Sequence, residues 1–374
     1  MQPKVSIIIP THNNEKTISV ALDSALGQTL REIEVIVVDD ACSDGTPGIL
    51  SARAQTDPRL TIITHSECLS ATVAKIDGTA VSTGEYVMYL DADDELERDA
   101  CAVLYQEELL DPVDILHFDT RVNVLYDHVQ GAAVADHVSK GLPPLRGEGL
   151  FDACYLRDEV GWTTWNKMYD GSLCRKVYSQ LERERTPRGE DVYAFFALSF
   201  YARSYRRLRG KALITYNFGA GGGGRGEKML TELTVICQVA PALDAIQRLI
   251  DRDGMPENCQ RACDRQRCAH LAGAVDCFSR LSDDERASGL AILLEYWDVR
   301  ELSSNISLRL LTDRNEVVAR DVAMAGLQAR LDAADRDVSV LRQEVAALRS
   351  SHSWKVGQAL MWVPDRVRSL VRRI

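Results

Sequence analysis

The chain has 374 residues, 45% of them apolar and 26% charged, with a net charge of −11. That length is enough for two or three domains and a sizeable core, and the acidic balance excludes a general nucleic-acid binder, whose phosphate contacts need a basic face. The ten cysteines lack small-domain disulfide spacing, the run Val5 to Ile9 is too short for a signal segment, and no stretch reaches the roughly 18 apolar residues of a membrane span, so a reduced, cytosolic protein is expected. In chain order, Val5 to Ile9 reads as a buried strand, followed by a helix with Ile18, Leu22, Ala25 and Leu26 on one face. A second strand, Val35 to Val38, ends in Asp39-Asp40, and Ser43-Asp44-Gly45 makes a turn into a helix over 46–56. Leu60 to Ile63 is a third strand, 70–80 a helix, and Tyr86 to Leu90 a fourth strand ending in Asp91-Ala92-Asp93-Asp94.

Continuous apolar strands alternating with helices predict an α/β fold, a parallel sheet covered on both faces. Ligands bind such sheets outside the carboxyl ends of the strands. The polar clusters Thr11-His12-Asn13, Asp39-Asp40 and Asp91 to Asp94 all lie at those ends and can converge on one crevice. A further helix is expected over 95–110, a strand over 114–120, and a loop or insertion over 127–150. The Gly-rich stretch from Gly219 to Gly226 reads as a mobile loop or a linker.

Beyond Glu227 the chain reads as helical. Leu327, Leu331, Ala334, Val338, Leu341, Val345 and Leu348 alternate spacings of four and three, a short heptad seam that suits a coiled-coil homodimer or a helix packed on its own domain. In the tail, Trp354, Leu360, Trp362, Val367 and Leu370 mix with Lys355, Arg366, Arg368, Arg372 and Arg373, which suits an anionic membrane surface or a partner protein. Cys259, Cys263, Cys268, His270 and Cys277 form a cluster without a Cys-x-x-Cys pair, so buried thiols are favoured over zinc.

Carboxylates clustered at a strand end repel one another unless a cation sits among them. A hard divalent ion, Mn²⁺ or Mg²⁺, holding one or two carboxylates and substrate phosphates is the natural occupant of Asp91 to Asp94; the alternative is an acidic cap on the following helix.

Three stretches occur in order: Val5-Ser6-Ile7-Ile8-Ile9-Pro10-Thr11-His12-Asn13, then Val37-Val38-Asp39-Asp40-Ala41-Cys42-Ser43-Asp44-Gly45-Thr46, then Gly84 to Asp94. Over about residues 3–220 the sequence resembles glycosyltransferase family 2, whose members have the GT-A fold, a Rossmann-like nucleotide-diphospho-sugar transferase domain. The resemblance implies an inverting, metal-dependent transfer from a nucleotide-sugar, a UDP-sugar by the Asp40 position, to a saccharide or lipid-linked acceptor in polysaccharide or glycoconjugate assembly. It implies donor contacts from Pro10, Thr11, His12, Asn13, Asp39, Asp40, Lys75, Asp91 and Ala92, with His12 stacking on the base, Asp40 accepting its N–H and Asp93 holding the metal.

Arg188-Gly189-Glu190-Asp191 resembles the family's Gly-Glu-Asp element, which makes Asp191 the general base; without the upstream motifs it reads as a cap on the helix from Val192. Trp162, Trp165, Asn166 and Lys167 resemble the Trp-x-Lys element, so Trp165, Lys167 and Glu190 are expected on the acceptor side, although Trp165 also suits a core position.

The pattern departs at Cys68 to Gly78, where Lys75 stands for the usual Arg and Ile76 for the usual Asn. Lys keeps the charge and loses the bidentate fork. Two other readings are an inactive GT-A scaffold and a sugar nucleotidyltransferase, though Thr11-His12-Asn13-Asn14 is not the Gly-rich loop of the latter. The expected boundaries are a GT-A domain over 1–226, a helical region over 227–315, a coiled-coil-like helix over 316–350 and a basic amphipathic tail over 351–374 that could hold the protein at the inner face of the plasma membrane.

Overall fold

The apolar runs form strands because both faces of the sheet are covered. In the computed structural model, which describes residues 2–125, 128–220, 229–305 and 342–343, β1 (Val5–Thr11) pairs in parallel with β2 (Ile33–Asp39) and β4 (Tyr86–Tyr89), and β2 pairs in parallel with β3 (Leu60–Thr64). Side chains alternate across a strand. Accordingly Ile7, Ile9, Val35 and Val37 enter one core, while Ile8, Ile36 and Val38 enter the other. The helices Ile18–Leu26, Thr46–Ala54 and Ala71–Val81 make the crossovers.

The sheet continues as a mixed one through β5 (Glu95–Leu96), β6 (Ile115–Val124), β7 (Leu145–Arg146), β8 (Lys167–Asp170) and β9 (Ser204–Phe218). The order among the described strands is β3-β2-β1-β4-β8-β6-β9-β5, with β7 on β9. β8 runs antiparallel between β4 and β6, while β9 pairs in parallel with β6.

Two expectations are revised. The helix expected from residue 95 begins at Ala100, because Glu95 and Leu96 pair with Thr215 and Ile214 of β9. The expected loop over 127–150 contains the helix His128–Ser139 and the strand β7. Val134 and Val138, four residues apart, lie on one side of that helix and pack into the core that also holds Phe118 and Trp165.

The chain divides into two units, Met1–Asn305 and Ile306–Ile374. Within the first, the helices Met229–Cys237, Ala240–Asp253, Glu257–Ser279 and Arg286–Tyr296 bury Leu233, Leu243, Ile246 and Leu249 in the same core as Ile8, Phe195 and Phe196. The expected boundary at 226–227 therefore does not separate two cores.

Among the described residues one stretch, Met229–Asp253, is by length and composition apolar enough to cross a membrane, contrary to the expectation that none is. Its apolar residues Leu233, Leu243, Ile246 and Leu249 are covered by protein. Cys259, Cys263 and Cys277 are buried and Cys268 is exposed, and all ten cysteines are free thiols. The heptad seam, the basic tail and all but the first residues of the Gly-rich stretch lie outside the described residues.

Candidate active site

Because β1, β2 and β4 are parallel and in adjacent register, their carboxyl ends open on the same side of the sheet. A cleft of about 250 Å³ lies there, lined by Pro10, Thr11, His12, Asp40, Asp91, Ala92, Asp93 and Glu190 among others. Segments almost two hundred residues apart in the chain thus line one cleft. Asn13 and Asp39 turn elsewhere. The Asn13 Oδ1 accepts from the Ser43 N–H at 2.8 Å. Asp39 lies on the opposite side of its strand from Asp40, where its Oδ1 accepts from the Cys42 N–H at 2.8 Å, and it faces a second cavity beside Leu50 and Ile62.

Asp40 is buried, and its carboxylate is engaged by four donors. Oδ1 receives the Leu69 N–H at 2.8 Å and lies 2.7 Å from the His65 Nδ1. Oδ2 receives the Ser70 N–H at 2.9 Å and the Cys68 thiol at 3.3 Å. Burial acts to raise its pKa, but these donors outweigh it and hold the carboxyl below its usual range. The backbone oxygen of Asp40 lies 2.6 Å from the His12 Nδ1, which fixes that ring at the cleft edge. Three residues that are not glycine take positive φ around this corner: Asn13 at 55°, Ala41 at 56° and Ser70 at 119°. Left-handed backbone of this kind costs on the order of 1–3 kcal/mol per residue and persists where surrounding contacts over-determine it.

Deeper in the cleft, acids outnumber cations. Lys75, 1% exposed, projects from the helix Ala71–Val81 with its Nζ 3.2 Å from the Asp191 Oδ1, 3.2 Å from the Thr164 Oγ1 and 4.0 Å from the Asp91 Oδ1. Burial opposes the ammonium, yet the carboxylates of Asp191, Asp91 and Glu190 outweigh it and raise the Lys75 pKa. Burial, only partly offset by Lys75 and reinforced by Asp191 and Asp93, pushes Asp91 up to about 7. Burial also raises Asp93, and burial with the charges of Asp91 and Asp93 raises Asp94 far above the usual carboxyl range. The Asp94 Oδ1 accepts from the Asn217 N–H at 2.8 Å, whereas its buried Oδ2 has no partner among the described residues.

Three acids, Asp191, Asp91 and Glu190, act on the Lys75 ammonium, and Asp93 and Asp94 lie beside Asp91, an excess of carboxylates that a hard divalent cation with oxygen ligands would relieve. Asp91 and Asp93 line the cleft and could hold one, whereas among the described residues the group whose potential ligand atoms all lie within 4.8 Å of one another is His12, Asp40 and Cys68. The excess of carboxylates is why Lys75 does not stand free at the cleft surface: its charge is already spent on the two acids that flank it.

The side of the cleft expected to face an acceptor is built by the helix Glu190–Tyr201. Gly189 precedes it with φ +84°, which turns the chain so that both acids occupy the first turn; a Cβ there would lie 2.8 Å from Val239 Cγ2. Glu190 lines the cleft. Asp191 lies just behind, its Oδ1 accepting from the hydroxyl of the buried Thr164 and facing Lys75. Burial, partly offset by Lys75 and reinforced by Asp191, raises Glu190.

The other two expected acceptor residues lie elsewhere. Trp165 is buried and stacks on Tyr216, with ring centroids 4.6 Å apart and planes 11° apart. Lys167 is fully buried, with its Nζ donating to Gly161 O at 3.0 Å, Thr163 O at 2.5 Å and Asn166 Oδ1 at 2.9 Å. It ties down the loop before β8 rather than facing the cleft. Sequence reasoning missed Thr164 and His65. His65 could have been found: it follows β3, so the strand-end rule that picked out Asp39-Asp40 and Asp91 applies to it as well. Thr164 carries no such signal.

Residues 6–122 match the model of glycosyl transferase family 2. Those residues belong to that family. The match and the α/β sheet together agree with the expected GT-A class, and the matched segment stops short of Thr164, Glu190 and Asp191. The chain is similar to the glycosyltransferase GlyA of Streptococcus pneumoniae, 27% identical over 195 residues that make up 51% of this chain and 27% of GlyA. It is similar to the cholesterol galactosyltransferase of Borreliella burgdorferi, 24% identical over 69% of this chain and 70% of that protein. A third relative is the GalNAc(5)-diNAcBac-PP-undecaprenol beta-1,3-glucosyltransferase of Campylobacter jejuni, 28% identical over 40% of this chain and 44% of its own length. The chain thus spans about a quarter of GlyA and less than half of the Campylobacter enzyme.

Proposed function

We propose that the protein transfers a sugar from a nucleotide-diphospho-sugar, a UDP-sugar, to a hydroxyl acceptor with inversion at the anomeric carbon. The observation that carries this reading is the acidic cleft at the strand ends, where Asp91, Asp93 and Glu190 line the surface and Asp191 sits behind them on Lys75 and Thr164. His12 offers an imidazole face at the rim beside Asp40, the expected base-recognition corner. Asp93 would hold a divalent cation, Mn²⁺ or Mg²⁺, which when bound neutralises the departing diphosphate. Asp191 needs only its free oxygen within reach of the acceptor hydroxyl to take the proton, a contribution of about 10²–10⁴-fold. In this reading the acceptor oxygen displaces the diphosphate in a single step, which inverts the centre.

An acceptor in polysaccharide or glycoconjugate assembly is the reading the relatives support, one of which is named for a lipid-linked oligosaccharide and one for a sterol. Membrane contact and dimerisation through the C-terminal segments belong to the same proposal.

The test is calorimetric titration with UDP, with and without Mn²⁺, repeated on Asp93→Ala. Binding that requires both the ion and Asp93 supports the donor site. Binding of GDP or dTDP in place of UDP would change the base; no nucleotide binding under any condition would overturn the reading in favour of an inactive scaffold.

A further inference from the structure

His65 sits where β3 ends, in a pocket that leaves its side chain 7% exposed. Its two ring nitrogens face two carboxylates: Nδ1 lies 2.7 Å from the Asp40 Oδ1 and Nε2 lies 3.0 Å from the Asp77 Oδ2. An ionised carboxylate only accepts, so both nitrogens must carry hydrogen for both contacts to be hydrogen bonds. Asp77 belongs to the helix Ala71–Val81 and pairs in turn with the guanidinium of Arg183, whose second nitrogen lies 2.9 Å from Asp77 Oδ2. Arg183 opens the segment that leads to Glu190 and Asp191. Thr186 of the same segment meets Thr72 of the same helix through a buried hydroxyl contact of 2.5 Å.

The chain of contacts Asp40–His65–Asp77–Arg183 therefore joins the end of β2 to the crossover helix and to the segment that delivers the acceptor-side acids. Neither His65, Asp77 nor Arg183 lines the cleft, so none is placed to touch the donor.

We propose that His65 is a positioning residue of the nucleotide subsite, clasped between Asp40 and Asp77 so that the base-recognition corner and the Glu190–Asp191 segment are held in one arrangement. The proposal rests on the nucleotide reading above. Asp40 also accepts the backbone N–H groups of Leu69 and Ser70, at the head of the helix that carries Lys75, so the clasp bears on the same carboxylate that holds this turn.

The experiment measures UDP binding in the presence of Mn²⁺ by calorimetry on the full chain and on His65→Gln, Asp77→Leu, Asp77→Asn and their doubles. Asp77→Leu weakens binding by about tenfold although Asp77 touches no ligand, and Asp77→Asn, which keeps an oxygen for the imidazole, weakens it by about two- to threefold. The double His65→Gln/Asp77→Leu binds no more weakly than the worse single variant, because both break one clasp. Wild-type affinity in both His65→Gln and Asp77→Leu, or losses that simply add, would overturn the proposal. Should Asp77→Leu fail to fold, the half-exposed Arg183→Gln gives the same readout with an expected loss of about twofold. If the unsubstituted protein binds none of UDP, GDP or dTDP, the nucleotide reading falls separately. The clasp is then judged on melting temperature: non-additive shifts of His65→Gln and Asp77→Asn support it, and additive shifts sink it.

Discussion

The two walls of the cleft are made by different kinds of structure. One wall, the proposed donor side, comes from the ends of β1, β2 and β4, parallel strands in adjacent register, so the segments that follow these strands are brought to the crevice by topology. The opposite wall comes from the first turn of the helix Glu190–Tyr201, backed by the loop before β8, where β8 runs antiparallel to its neighbours. There the side chain that faces the cleft is decided by packing, residue by residue. Glu190 reaches it, Asp191 stands behind it, and Trp165 and Lys167 are drawn inward. Lys75 joins the walls, since its ammonium touches Asp191 from one and approaches Asp91 from the other.

The largest expected effect separates the walls by function. Asp191→Asn keeps the shape and the Thr164 contact but removes the proposed base, so turnover of the donor falls about 10²–10⁴-fold while UDP still binds in the presence of Mn²⁺. Comparable loss of UDP affinity would mean that Lys75 transmits the change and that the walls are one unit.

A smaller effect concerns Trp165. As a core ring against Tyr216 it tolerates Phe better than Ala: Trp165→Ala lowers unfolding free energy by about 3–5 kcal/mol, and Trp165→Phe by about 1–2 kcal/mol. Chemical denaturation measures both. A Phe variant that is stable yet loses acceptor affinity would return Trp165 to the acceptor surface.

The smallest effect is a slope. Burial lowers Lys167 to about 7 from its ordinary value near 10.5. Between those values the unfolded chain binds the extra proton, so the burden of burying the ammonium is greatest below about 7 and is relieved as pH rises through that window. The stability of the wild type therefore gains on that of Lys167→Met between pH 7 and pH 10. Parallel pH profiles would show that the three oxygen partners keep the group charged throughout.

How much of this was legible in the sequence follows the same division. Val5 to Ile9, Val35 to Val38 and Tyr86 to Leu90 are unbroken apolar runs because both faces of the sheet are buried, so the period is absent and the strand is read from its bounds. The strand-end rule found His12, Asp40, Asp91 and Asp93 together, and overlooked His65 at the end of β3 only because a lone histidine after a short strand was not weighed. It could not tell Asp39 from Asp40, since that depends on which face of β2 each residue takes at its last pair.

Local sequence by itself determined the parallel half of the sheet, the crossover helices and the side of the sheet on which the acidic motifs gather, because alternation, turn residues and the handedness of parallel connections act over short spans. Only the tertiary structure decided that Asp40 is enclosed by four donors, that Lys75 is committed to Asp191 and Thr164, and that Trp165 and Lys167 serve the core. Those outcomes are set by contacts between residues as many as 116 positions apart, and no local pattern encodes which of several nearby polar groups reaches a buried charge first.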